Sequence, residues 1–162
     1  MKAKTIVLTL ALCLVTAAVC FAGGVPQKPI NPAMMGTWQL DEAKSKLAPG
    51  AAKNSTVVYE AAGDNVKVTV DGTDRNGQPA HNEWTGKFDN REYPLTGDPT
   101  ADSRTYRRAN YNTLAFTNKK GGKVTLSGRI VLSTDGKTRT VTTSVTDAKG
   151  KIVKGVAVYN KQ

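Results

Sequence analysis

A period-two alternation of apolar and polar residues, broken about every eight to twelve residues by a turn, most narrows what this chain can become. In "NVKVTV", Val66, Val68 and Val70 share one face of an extended segment, while Lys67, Thr69 and Asp71 share the other. "TRTVTTSVTD" likewise sets Val141, Thr143 and Val145 against Thr140, Thr142 and Ser144. The breaks are "GDN", "DRNG", "KKGG", "TDGK" and "DAKG", which supply the Gly, Asn and Asp that tight turns need. Strands are expected over 36–41, 55–62, 65–73, 80–89, 103–109, 113–118, 123–133, 138–147 and 152–160, with "REYPLTGDPTAD" read as the longest loop. "DEAKSKL", directly after the first strand, predicts a short helical turn with a solvated charged face.

Short gaps between strands mean hairpins between sequential neighbours, hence an antiparallel up-and-down meander. The expected fold is all-β: nine to ten strands in a single domain over 34–162, closed into a barrel because closure removes exposed edges. Val dominates the expected interior, with Leu114, Leu126, Ile130, Leu132 and Ile152 as larger members. Two fillings are open. A barrel lined by Val and Thr leaves room for a pocket; one closed by Trp38, Tyr59, Trp84, Phe88, Tyr93, Tyr106, Phe116 and Tyr159 is packed solid.

The first segment addresses the chain. Lys2 and Lys4 precede an uncharged run from Thr5 to Ala22, followed by "GG", which reads as a signal peptide over 1–22 with no membrane span left after cleavage. Cys20 follows Val19 rather than a small residue, which disfavours a lipid anchor. Pro26, Pro29 and Pro32 make 23–33 an extended leader. The expected location is periplasmic or secreted, as a monomer. Both cysteines, Cys13 and Cys20, fall inside the signal, so the mature chain has no disulfide or thiol chemistry.

Charge and motifs then exclude most chemistry. Lys and Arg number 23 against 13 Asp and Glu; without Lys2 and Lys4 the balance is 21 against 13. That favours an anionic envelope surface as a partner. The basic residues are dispersed, with no stripe interleaved with aromatics, so nucleic acid is not expected. His81 is the only histidine and no Gly-x-Ser-x-Gly elbow exists, so no catalytic residue, metal site or cofactor is expected. "DGTDRNG" fails calcium-loop spacing and reads as a hairpin turn, and Asp98 and Asp102 read as turn chemistry. Glu83 beside Trp84 suggests a sugar site, but alternation puts the two on opposite faces. The chain is expected not to be an enzyme.

"HNEWTGKFDNREYPLTG" is the most aromatic stretch, and Trp84, Gly86 and Phe88 share a face there. Barrel mouths and long loops are where a rigid scaffold meets ligands. The expected ligand contacts are Trp84, Phe88, Tyr93, Tyr106 and Arg129, with Arg107 and Lys154 as further basic residues that could point inward.

Gly36-Thr37-Trp38 opening the first strand of such a meander resembles the lipocalins and the wider calycin group. The longer pattern "GTWQLDEAKSKL…DGTDRNGQPAHNEW…YPLTGDPTAD" is also similar to small exported bacterial proteins. The lipocalin resemblance implies structural roles for Gly36 and Trp38, with Trp38 plugging the closed end. It also implies a small hydrophobic or amphipathic ligand in the barrel. The alternative expectation is a basic, envelope-associated interaction module with a filled barrel and no ligand.

Overall fold

The computed structural model describes residues 30–146 and 150–162. The expected signal peptide and leader residues 23–29 lie outside the described residues, as does part of the "DAKG" turn. Ten strands follow one another: β1 (Gly36–Lys46), β2 (Lys53–Ala62), β3 (Asn65–Thr73), β4 (Pro79–Gly86), β5 (Asp89–Thr96), β6 (Ser103–Asn110), β7 (Thr113–Lys120), β8 (Lys123–Leu132), β9 (Thr138–Thr146) and β10 (Ile152–Lys161). Each pairs antiparallel with its sequence neighbour, and β1 pairs with β10 from Trp38↔Lys161 to Lys46↔Val156, closing the barrel. The expected all-β meander is the fold.

Three local expectations are corrected. Residues 30–33, the end of the expected extended leader, are instead part of a folded turn. Asn31 Oδ1 accepts from the Ala33 N–H, Pro32 fits the first position of a turn, and Pro32–Met34 form one 3-10 turn beneath the barrel. Met34 is buried, and Ile30, Ala33 and Met35 pack on the core. Gly36 then takes φ 98°, a conformation reserved for glycine, to redirect the chain into β1.

Secondly, "DEAKSKL" is not helical. β1 continues to Lys46 through a wide bulge, in which residues 42–45 stand opposite Ala157 alone. Lys44 N–H donates to Asp41 Oδ1 (3.2 Å) and Ser45 Oγ donates to the Asp41 carbonyl (2.6 Å). Val158 N–H in turn donates to Ser45 Oγ (2.9 Å). The side chains that give the segment its helical spacing fill the bulge instead.

Thirdly, the expected long loop contains β5. Pro94 and left-handed Asn90 (φ 68°) disguise it, and β5 is bulged between Asp89 and Glu92. Its ladder to β4 has only two pairs, Glu83↔Thr96 and Trp84↔Leu95, so a proline there interrupts little pairing.

The chain enters at the end that also holds the β2–β3, β4–β5, β6–β7 and β8–β9 turns; this is the lower end. The other turns surround the upper end. Trp38, Tyr59, Val68, Trp84, Tyr106, Leu114, Ile130, Leu132 and Tyr159 are buried inside. Ile152, expected inside, is 63% exposed, because Val153, Gly155, Ala157 and Tyr159 take the inward parity of β10. Small residues make room for rings: a Cβ on Gly128 would lie 2.3 Å from Phe116, and one on Gly86 2.4 Å from Tyr93. Gly128→Ala is expected to cost about 1–3 kcal/mol. Thermal melts should show that penalty largely relieved in the Gly128→Ala/Phe116→Leu double variant.

Candidate ligand-binding site

The barrel interior divides into a closed floor and a more open upper layer. On the floor, Trp38 has no exposed surface, and its indole N–H donates to the Met34 carbonyl (3.0 Å). Arg139, inward on β9 and 2% exposed, lies with its guanidinium carbon 4.7, 4.8 and 5.0 Å from the ring centres of Trp38, Tyr59 and Tyr159. Its Nε and Nη1 have no hydrogen-bond partner, so the ring faces supply the negative potential instead. Burial pushes the Tyr59 hydroxyl pKa up strongly and that of Tyr159 to about 12, so both rings stay neutral at ordinary pH. Lys161 approaches Trp38 as well (5.4 Å), and its Nζ donates to the Ala33 carbonyl (2.8 Å).

Tyr59 meets Tyr106 edge-on (6.4 Å), and through Tyr106 the floor adjoins an aromatic cluster that begins at Phe88 in the β4–β5 turn. Trp84 stacks on Phe88 (6.2 Å, interplanar angle 2°) and meets Tyr93 (5.7 Å) and Tyr106 (4.8 Å) edge-on; Tyr106 also contacts Phe88 (5.4 Å) and Phe116 (5.7 Å). Such pairs contribute about 0.5–1.5 kcal/mol each beyond their area. Four of the five expected contact residues, Trp84, Phe88, Tyr93 and Tyr106, are therefore brought together, mainly against one another. Tyr93 also donates to Asp89 Oδ2 (2.9 Å).

Arg129 does not join them. It is exposed between inward Gly128 and Ile130, because alternation on β8 gives it the outer face. Arg107 and Lys154 are exposed by the same parity. The inward arginine of β6 is Arg104, which sequence reasoning missed although "SRTYRRA" puts it on the same face as Tyr106.

Arg104 is 8% exposed and near the upper end of β6. Its Nε donates to Asn118 Oδ1 (2.7 Å) and its Nη1 to the Tyr106 hydroxyl (3.5 Å), which lies 3.3 Å from the Tyr59 hydroxyl. Its backbone carbonyl accepts from the Trp84 indole N–H (2.9 Å). No carboxylate pairs with Arg104 or Arg139 among the described residues.

Around the upper layer, Arg104 pairs across strands with Asn118, and Asn118 with Leu126. Ser127 faces Ser144, which sets Leu126 beside Val145, and Val145 pairs with Val153. One continuous inner band thus runs from a cation and an amide to three aliphatic side chains. Leu126, Val145 and Val153 are only half-buried although they share the inward parity of their strands. Asn82, inward on β4, keeps a buried Oδ1 with no partner. The β1–β2 loop leans over part of this layer: Ala48 N lies 2.8 Å from where a Cβ on Gly155 would stand.

The outer face of β3 and β4 holds the remaining candidates. His81 Nδ1 lies 2.6 Å from Asp71 Oδ1, and its Nε2 is 3.7 Å from Glu83, which pairs with Lys67 (2.6 Å). This is an exposed ladder of charges, and no cluster of potential metal ligands occurs among the described residues. Asp74 accepts from Asn76 and Gln78 N–H, Asp98 from Thr100 N–H and Asp102 from Gly121 N–H, all as turn caps. Among the described residues no helix is long and apolar enough to cross a membrane.

No protein-family model matches the chain, and no curated protein matches its sequence. Two solved structures that match are redesigned β-barrels, each 13% identical. One has a TM-score of 0.45 and covers 80% of this chain and 92% of its own. The other, mFAP1 bound to DFHBI, has a TM-score of 0.46 and covers 80% of this chain and 95% of its own.

The hydrogen bond to Asp71 raises the His81 pKa, and Glu83 adds to the effect. With the folded value raised, the stabilising contribution is complete below the unfolded pKa of about 6.5 and lost as pH climbs through the folded one. An NMR titration should place the His81 midpoint above that of the Asp71→Asn variant; equal midpoints would discount the contact.

Proposed function

We propose that this chain is an exported, non-enzymatic, lipocalin-like binding protein whose upper barrel layer takes a small amphipathic ligand. Its headgroup, a carboxylate or comparable acceptor, meets Arg104 and Asn118, and its apolar body lies along Leu126, Val145 and Val153. The observation that carries this reading is Arg104. A guanidinium removed from water without a carboxylate costs several kcal/mol unless other groups compensate. Arg139 has three ring faces at about 5 Å, whereas Arg104 has one amide, one long hydroxyl bond and rings nearly 6 Å away. An anionic headgroup is the partner it lacks. The unpartnered Asn82 Oδ1 adds a second polar group, on the wall that carries Trp84.

Trp84 donates to the backbone of Arg104, so its emission reports on this layer. Titration with decanoate should give a saturable fluorescence change, with weaker binding of the neutral decanol. Arg104→Gln should weaken decanoate binding at least about tenfold, the scale of a charged hydrogen bond. Arg129→Gln, on the outer face, should leave it unchanged. Absence of a saturable change, or equal effects of the two substitutions in folded protein, contradicts the reading.

A further inference from the structure

The upper rim is asymmetric in a way that ligand binding does not explain. Strands β8, β9, β10 and β1 are consecutive around the barrel, and β7 hairpins into β8. This arc exposes three of the five large hydrophobic side chains found exposed among the described residues: Leu47 (38%), Val124 (60%) and Ile152 (63%). All three stand at upper strand ends or in the β1–β2 loop. The other two, Tyr111 and Val131, lie at the lower end.

The same arc holds Lys120 and Lys123, paired across the β7–β8 hairpin, with Lys46 at the end of β1 and Lys154 on β10. These four lysines are exposed and enter no ion pair among the described residues. Lys151 is exposed next to Ile152. Of the described carboxylates nearby, Asp41 and Glu42 are engaged by Lys44 and Lys53, and Asp102 caps the β7–β8 turn by accepting from the Gly121 N–H (2.8 Å). Further round the rim, the β5–β6 and β3–β4 turns carry Asp98 and Asp74 and expose no large apolar side chain.

We infer that this arc docks the barrel, mouth first, on an anionic phospholipid surface. Charge complementarity selects the partner. A bilayer rich in anionic headgroups attracts a cluster of unpaired lysines, and single aliphatic side chains interspersed with them enter the boundary below the headgroups. The acidic β3–β4 turn across the rim would be repelled, so the molecule tilts, with the β8–β10 side and the β1–β2 loop toward the lipid. The rim residues lie outside the inner band, so the inference stands independently of the ligand reading.

Co-sedimentation with phosphatidylglycerol/phosphatidylcholine vesicles, without added ligand, tests it. Binding is expected on the mixed vesicles, absent on pure phosphatidylcholine, and largely lost as salt rises from about 0.15 M to about 0.5 M. Lys120→Glu/Lys123→Glu should weaken it by more than about twentyfold, since each lysine near such a surface contributes about fivefold. Val124→Ser/Ile152→Ser should weaken it while retaining the salt dependence. The control reversal Arg75→Glu/Lys137→Glu, on the β3–β4 turn and the lower end, should have the smaller effect. All variants change exposed side chains, and circular dichroism verifies their fold. No salt-sensitive binding, or a control reversal as damaging as the arc reversal, would overturn the inference; so would binding to an acidic polysaccharide or protein but not to vesicles.

Discussion

A buried cation held by ring faces is the constraint on which the rest of this barrel depends. Arg139 comes from β9, Trp38 from β1, Tyr59 from β2 and Tyr159 from β10, four consecutive strands around the closure. The first and last strands meet within this group, so the side chains that solvate Arg139 also hold the barrel shut. A guanidinium this deep is stable only while the rings remain in place. The floor is further fixed by Lys161, which ties the end of β10 to the carbonyl of Ala33 in the 3-10 turn.

That arrangement decides where binding can occur. The floor residues are used up on one another, and the Trp84–Phe88–Tyr93–Tyr106 cluster packs the barrel from the β4–β5 turn inward. What is left is the upper layer, where side chains that point inward are still half in water. The two interior arginines therefore differ in kind: Arg139 is held by three ring faces at about 5 Å and closes the barrel, whereas Arg104, with two hydrogen bonds and more distant rings, stands at the boundary between packed core and mouth. The polar-to-aliphatic progression from Arg104 to Val153 follows from strand order and alternation. It matches a ligand with one charged end.

Much of the fold was legible because valine alternation is strong where a strand has one wet face, as Val66, Val68 and Val70 show. Strand β5 was hidden by Pro94 and by left-handed Asn90, residues that ordinarily end strands; short pairing with β4 tolerates both. The bulge at 42–45 was hidden by its own stabilising contacts. Asp41, Lys44 and Ser45 interact at separations of three and four residues, the spacing by which a helix is recognised. The aromatic part of the site was readable from composition, whereas its polar part was not. Arg104 and Arg139 sit in runs of polar residues where charge suggests solvent. Only the parity of each strand, which aligns them with Tyr106 and Val141, marks them as inward.

In the proposed binding mode Arg139 stays engaged on the floor while Arg104 is available to a ligand. Hydrogen exchange at the two side-chain Nε–H groups, followed by NMR with and without decanoate, tests this most directly. Slow exchange is expected at Arg139 that decanoate leaves unchanged, and faster exchange at Arg104 that slows when decanoate is added. Equal protection at both arginines, or an Arg104 signal indifferent to decanoate while Arg139 responds, would contradict it.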